Sequence, residues 1–321
     1  MSDADNLARL EALYEAFREG RPRPEKVACW LSAACLLMRE DDPDALVAQV
    51  RDRQAALKSE LGWRSPTGAL RWLYAAMMTQ NDIPVERFLA ARAALQDHVG
   101  WFERASLHAG GARAALMLCV GSSEDTPIER FLAMREALQP PWWRASASVT
   151  DTYAAIHAAR GDDPAEVLAL REAAEAVFRA NPRSRGHTRD GGKMCALLKA
   201  DPHEAMARFE ALDAARQTHK ALRRHAFRQR FVQWAIQGLG VDDALAIETL
   251  RQALPNSVTS MGGERTALAH LVHTAGWSGL QDGALSAMDA VIAAQTAVMV
   301  SVITASSVAV TASSSSSGSG A

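Results

Sequence analysis

Ligation, nucleophilic attack and proton transfer need particular side chains at particular spacings, and this 321-residue chain holds few such arrangements. His270 and His273 stand three apart on a predicted helix, so both imidazoles can face one ion. Zinc takes three or four ligands in a defined geometry. No further ligand follows at a suitable spacing, and His-Glu-x-x-His is absent. His219 and His225 stand six apart with no acidic residue between them. The Gly-x-Ser-x-Gly elbow, the Gly-x-x-x-x-Gly-Lys phosphate loop and a Gly-x-Gly-x-x-Gly turn are all missing. No catalytic, cofactor or metal residue is assigned on this basis. Gly110-Gly111, Gly191-Gly192 and Gly262-Gly263 precede or enter apolar helices. They read as tight turns and close helix approach, with backbone N–H groups offered to an anion as the alternative.

One segment is chemically distinct. Residues 179–230 hold 13 Lys or Arg against 5 Asp or Glu, a local excess of +8 in a chain of net charge −2. Arg216, Lys220, Arg223, Arg224 and Arg228 crowd into a few turns with His219 and His225 among them. This reads either as a solvated face with counter-charges on neighbouring helices or as a surface for an anionic partner. Aromatic interleaving is thin, since Phe227 and Phe231 fall at core positions, so base stacking lacks support and nucleic acid is set aside. The near-neutral whole gives no global attraction to nucleic acid or an anionic membrane.

The elements that carry these side chains are helices. Alanine is abundant, and β-branched and aromatic residues are sparse before residue 290. An acidic or polar turn, a proline and an amphipathic helix recur at Pro43, Pro84, Pro127, Pro164 and Pro202, spaced 41, 43, 37 and 38 residues apart. Val241-Asp242-Asp243 starts a further unit without the proline. A polar side chain before the helix accepts from an orphan N–H, and proline at the first helical position gives up a donor that had no partner. Pro84–Ala90 (PVERFLA) and Pro127–Ala133 (PIERFLA) are nearly one peptide. A second, more apolar helix follows each first one, as in 69–79, 112–120 and 149–160. The N-terminal stretches 5–19 and 24–39 fit the same rhythm. The chain therefore predicts an all-α, α-solenoid-like stack of about six or seven helical hairpins with a period near 40 residues, occupying 1–276. Several of the eight tryptophans recur at one place in the repeat, in connectors such as Gly62-Trp63, Gly100-Trp101 and Pro141-Trp142-Trp143. That placement predicts packing wedges rather than a ligand cage.

Cys29, Cys35, Cys119 and Cys195 lie in apolar helical runs without a CxxC pair, which predicts four buried thiols in a reducing compartment. The acidic amphipathic start has no basic stretch followed by an apolar one, so a cytoplasmic protein is expected. The C-terminal part is different. No charged side chain follows Asp289, and the apolar segment 277–312 contains a run, 290–312, long enough to cross a bilayer core. Its Ser, Thr and Ala content and the missing Lys or Arg anchors argue against a conventional span. It reads as a helix along the stack, a membrane contact or a self-associating strand. Residues 313–321 read as a flexible, disordered Ser/Gly tail.

Over most of 45–275 the order of units resembles a bacterial family of uncharacterised proteins, the domain of unknown function numbered four thousand and three. The likeness rests on Trp63–Met78, on Ile128–Leu138 followed by Trp142–Ala159, and on Val177–Pro182 leading into Met194–Leu198 and Pro202–Leu212. Residues Arg183–Asp190 depart from the family pattern. The resemblance implies an all-helical fold and brings no activity or catalytic residues. A solenoid presents long faces to proteins or peptides, so the sequence predicts a non-enzymatic interaction scaffold without cofactors. Membrane association through 290–312 is the alternative.

Overall fold

The computed structural model describes residues 2–61, 68–99, 107–122, 126–138, 147–225, 228–256, 258 and 262–275. Among these the chain is all-helical. The helices are α1 (Asp3–Glu19), α2 (Lys26–Cys35), α3 (Pro43–Leu61), α4 (Gly68–Gln80), α5 (Val85–His98), α6 (Ala112–Gly121) and α7 (Ile128–Leu138). They continue as α8 (Ala147–Arg160), α9 (Pro164–Ala180), α10 (Thr188–Leu198), α11 (Pro202–Thr218), α12 (Gln229–Ile236), α13 (Val241–Ala253) and α14 (Gly262–Thr274). The connectors carrying Trp63, Trp101, Trp142 and Trp143, the residue Phe227, and all of 277–321 lie outside the described residues.

A single turn geometry punctuates the chain after α4, α8, α10 and α12. Asp82, Gly161, Lys199 and Gly238 take left-handed backbone angles, with φ of 50°, 74°, 50° and 86°. The next residue in each case returns its N–H to the carbonyl five positions back: Ile83 to Met78, Asp162 to His157, Ala200 to Cys195 and Leu239 to Trp234. This motif satisfies carbonyls that the helix itself leaves unpaired. The cap residue of the next helix then follows immediately. Asp163 and Asp201 sit there and each accept two backbone N–H bonds, with Pro164 and Pro202 at the first helical position. Pro84 departs from that pattern, because Asp82 is the left-handed residue and the fixed turn length puts the proline on the cap position itself. Pro127 likewise stands one residue before α7.

Each odd-numbered helix packs on the even-numbered helix after it, giving seven pairs among the described residues. Odd helices also touch odd from one pair to the next, and even helices touch even from α2 to α12, with Trp234 of α12 edge-on to His270 of α14. The circuit closes, because α14 packs on both α1 and α2. Asn6 donates to the Val272 carbonyl at 2.9 Å in a buried bond, and His273 lies between Asp3 at 3.1 Å and Asp243 at 3.3 Å.

Arginines fasten successive pairs. Arg9 on α1 donates to the Asp41 carbonyl beyond α2, Arg53 on α3 to Ile83 beyond α4, and Arg87 on α5 to Ser122 beyond α6. Arg130 on α7 lies against Gly161 beyond α8, its guanidinium 2.9 Å from where a Cβ would stand. A guanidinium with five donors can reach the orphan carbonyls of a helix end while staying in water on its outer side.

The even helices supply most of the core. Trp30, Trp72 and Trp234 are buried there, with Tyr14 stacked on Trp30 at 3.8 Å and Phe17 edge-on to Trp72. Cys29, Cys119 and Cys195 are buried free thiols, pushed up by burial to about 11, 11 and 12, while Cys35 is half-buried. High thiol pKa values leave little thiolate to react.

Gly191 and Gly192 let α9 and α10 approach closely. A Cβ on Gly191 would touch the Phe178 ring at 3.1 Å, and one on Gly192 would fall 2.4 Å from Glu175 Cγ and 3.1 Å from the Arg171 carbonyl. Gly192→Val is therefore expected to destabilise the protein by about 1–3 kcal/mol, read from the urea midpoint. Gly186→Ala, where a Cβ meets nothing within 4 Å, should stay within about 0.5 kcal/mol. Equal midpoints for the two variants would refute the close approach.

Candidate anionic-partner surface

Two acidic side chains in core register organise the basic segment. On α11 the apolar positions Met206, Phe209 and Leu212 point inward, and Asp213 follows them at 1% exposure. On α13, Glu248 occupies the equivalent place beside Ala244 and Ile247, also 1% exposed. A buried carboxylate is costly unless it is paired, and the chain brings cations to both.

Asp213 receives Arg228 Nε at 2.5 Å, Arg183 Nη1 at 3.0 Å and Arg216 Nε at 3.7 Å. Arg228 holds a left-handed backbone, φ 55°, at the cap position of α12, a conformation that bulky residues adopt only under constraint. Its bond to Asp213 is that constraint. Glu248 receives His225 Nε2 and Arg251 Nε, both at 2.9 Å, and Arg224 Nη1 at 3.5 Å. Burial works against ionisation of Glu248, yet the bonds from His225 and Arg251 outweigh it and hold the carboxyl below its ordinary 4.5. His225 also lies edge-on to Trp234, which is in turn edge-on to His270. Burial drives the His270 imidazole down to about 3, so it stays neutral.

Of the five basic residues singled out by their crowding, Arg216, Arg224 and Arg228 are thus turned toward buried carboxylates. Lys220 and Arg223 lie exposed on the 3-10 turn Lys220–Arg224, where Arg223 donates to the Gln217 carbonyl at 2.8 Å. The sequence reading missed Asp213, Glu248, Arg183 and Arg251. The available signal was an acidic residue on the apolar face of an amphipathic helix. The histidines find separate partners: His270 packs among aromatics, His273 lies between two carboxylates, and His219 is exposed. No group of three or more His, Cys, Asp or Glu among the described residues is placed to hold a metal ion.

Comparison of the chain with protein-family models, with curated proteins and with solved structures finds no match.

The ionised Glu248 gives a pH signature. Its folded pKa lies below the unfolded value, so its contribution is present above about 4.5 and is lost as pH falls through the lower folded value. Glu248→Gln should cost about 1–3 kcal/mol at pH 7. The gap to wild type should shrink as both are titrated below pH ~4.5. Urea midpoints across that range check it, and a gap that persists at low pH would show that Glu248 acts through packing alone.

Proposed function

We propose that the chain is a non-enzymatic protein-interaction scaffold that receives an acidic segment of a partner protein or peptide. The supporting observation is charge: five guanidiniums, Arg183, Arg216, Arg224, Arg228 and Arg251, gather on two carboxylates. In the same segment Lys220 and Arg223 stand exposed, with no carboxylate partner among the described residues. In this reading the pairs form an α-solenoid-like array of period near 40 residues, with helix starts at 3, 43, 85, 128, 164, 202 and 241, curved until its ends meet. The array holds the basic turn rigid so that little ordering entropy opposes binding. The family resemblance adds no activity to this reading.

A glutamate-rich peptide titrated into the full chain tests it. Binding is expected to weaken with added salt and to fall about tenfold or more in Lys220→Glu/Arg223→Glu, a pair of exposed sites at which an unchanged urea midpoint is expected. Unchanged binding in that variant would remove the proposal's basis.

One sequence observation favours a second reading, membrane association through residues 290–312: no charged side chain follows Asp289. Among the described residues no helix is long and apolar enough to cross a membrane. Flotation of the full chain with lipid vesicles, and loss of flotation in a chain ending at residue 283, would support it. Equal behaviour of the two chains would dismiss it.

A further inference from the structure

The turn from α9 into α10 forms an open depression lined by Arg179, Arg185, Gly186, Thr188, Arg189 and Asp190. Three guanidiniums border it. Arg179 leaves α9 largely exposed, with one long contact to Glu175 at 3.4 Å, and Glu175 is held more closely by Arg171 at 2.8 Å. Arg185 makes only a 3.5 Å bond, from its Nε to the Arg179 backbone carbonyl, which holds the Arg185 side chain back against the end of α9. Arg189 is exposed and makes no ion pair among the described residues. Asp190 supplies the single carboxylate at the rim, and it also faces Lys193. The lining side chains alone therefore sum to +2, three arginines against Asp190, with Glu175 behind Arg179.

Its frame is fixed. The buried Ser184 hydroxyl donates to the Phe178 carbonyl at 2.7 Å, Asn181 Oδ1 accepts the Arg183 N–H at 2.9 Å, and Thr188 donates to the Arg185 carbonyl at 2.9 Å. Asn181 Nδ2 anchors the turn to Glu210 on α11 at 2.7 Å. At the mouth, α10 begins with no side-chain cap from His187, so its first N–H groups add a positive end to the arginines. Space beyond Gly186 is empty, which leaves room for a ligand against the backbone. Guanidiniums bind oxyanions through parallel N–H bonds, and a phosphoryl group carries between one and two negative charges near neutrality.

We propose that this depression binds a phosphoryl oxyanion, either free phosphate or the phosphate of a monoester. The site is separate from the Lys220–Arg223 turn and stands whether or not the scaffold reading holds.

Inorganic phosphate titrated into the isotope-labelled full chain, against sodium chloride of equal ionic strength, is the test. Saturable shifts of the Thr188, Arg189 and Asp190 amides are expected with phosphate and not with chloride. Arg185→Gln/Arg189→Gln should weaken the affinity about tenfold or more. Gly186→Asp should do the same while keeping every guanidinium, and Lys220→Glu/Arg223→Glu should leave it unchanged. Phosphoserine and serine separate the two sources: tighter binding of phosphoserine than of phosphate assigns a monoester, and the reverse assigns the free ion. Equal shifts with chloride, or phosphate binding that survives both the arginine and the Gly186 variants, would overturn the proposal.

Discussion

Helix α6 has no face that tolerates water: residues 112–119 are all buried, including Arg113 at 1% exposure. Helices α2 and α4 come close to the same condition. A helix apolar all round must be covered on every side, and one amphipathic partner covers only one. Each such helix therefore needs its own odd helix and two even neighbours. That requirement forces the repeated pairing, fixes the short turns between pairs, and leaves the first and last pairs to cover each other.

Within this apolar interior, charge is placed where a neighbouring element can answer it. Asp151 takes Arg135 Nε at 2.7 Å across α7 and α8, and Asp162 takes His157 at 2.7 Å and Lys199 at 2.9 Å. Asp213 and Glu248 extend the scheme to the basic segment. Such pairs add little net stability over apolar packing, but losing one partner strands the other. They act as register pins between neighbours. The arrangement also has an electrostatic cost, because it sets several like charges around one acid.

Local signals carried much of this. The helix starts, the apolar second helices and the burial of Trp30, Trp72 and Trp234 follow from caps, proline and periodicity. The twin peptides at Pro84 and Pro127 marked Arg87 and Arg130 as equivalent, although the bond from Arg87 to Ser122 and the approach of Arg130 to Gly161 need the next turn in view. Net charge located the basic segment but could not separate Arg216, Arg224 and Arg228, which face inward, from Lys220 and Arg223, which do not. That division depends on Asp213 and Glu248, whose types alone suggest solvent. The depression shared by Arg179, Arg185 and Arg189 spans a turn whose path is set by Ser184 and Asn181, so spacing along the chain does not reveal it.

The Asn6–Val272 bond joins residues 266 apart. During synthesis at about 5–20 residues per second, the first helix pair waits tens of seconds for its last neighbour. Until α14 emerges, the flank of α1 and α2 that it covers is bare apolar surface. A nascent chain of this design is most adhesive when nearly complete, and the final pair acts as its latch. The same adjacency brings the two ends of the folded body together, so the order of the pairs along the gene could be rotated without altering which helices touch.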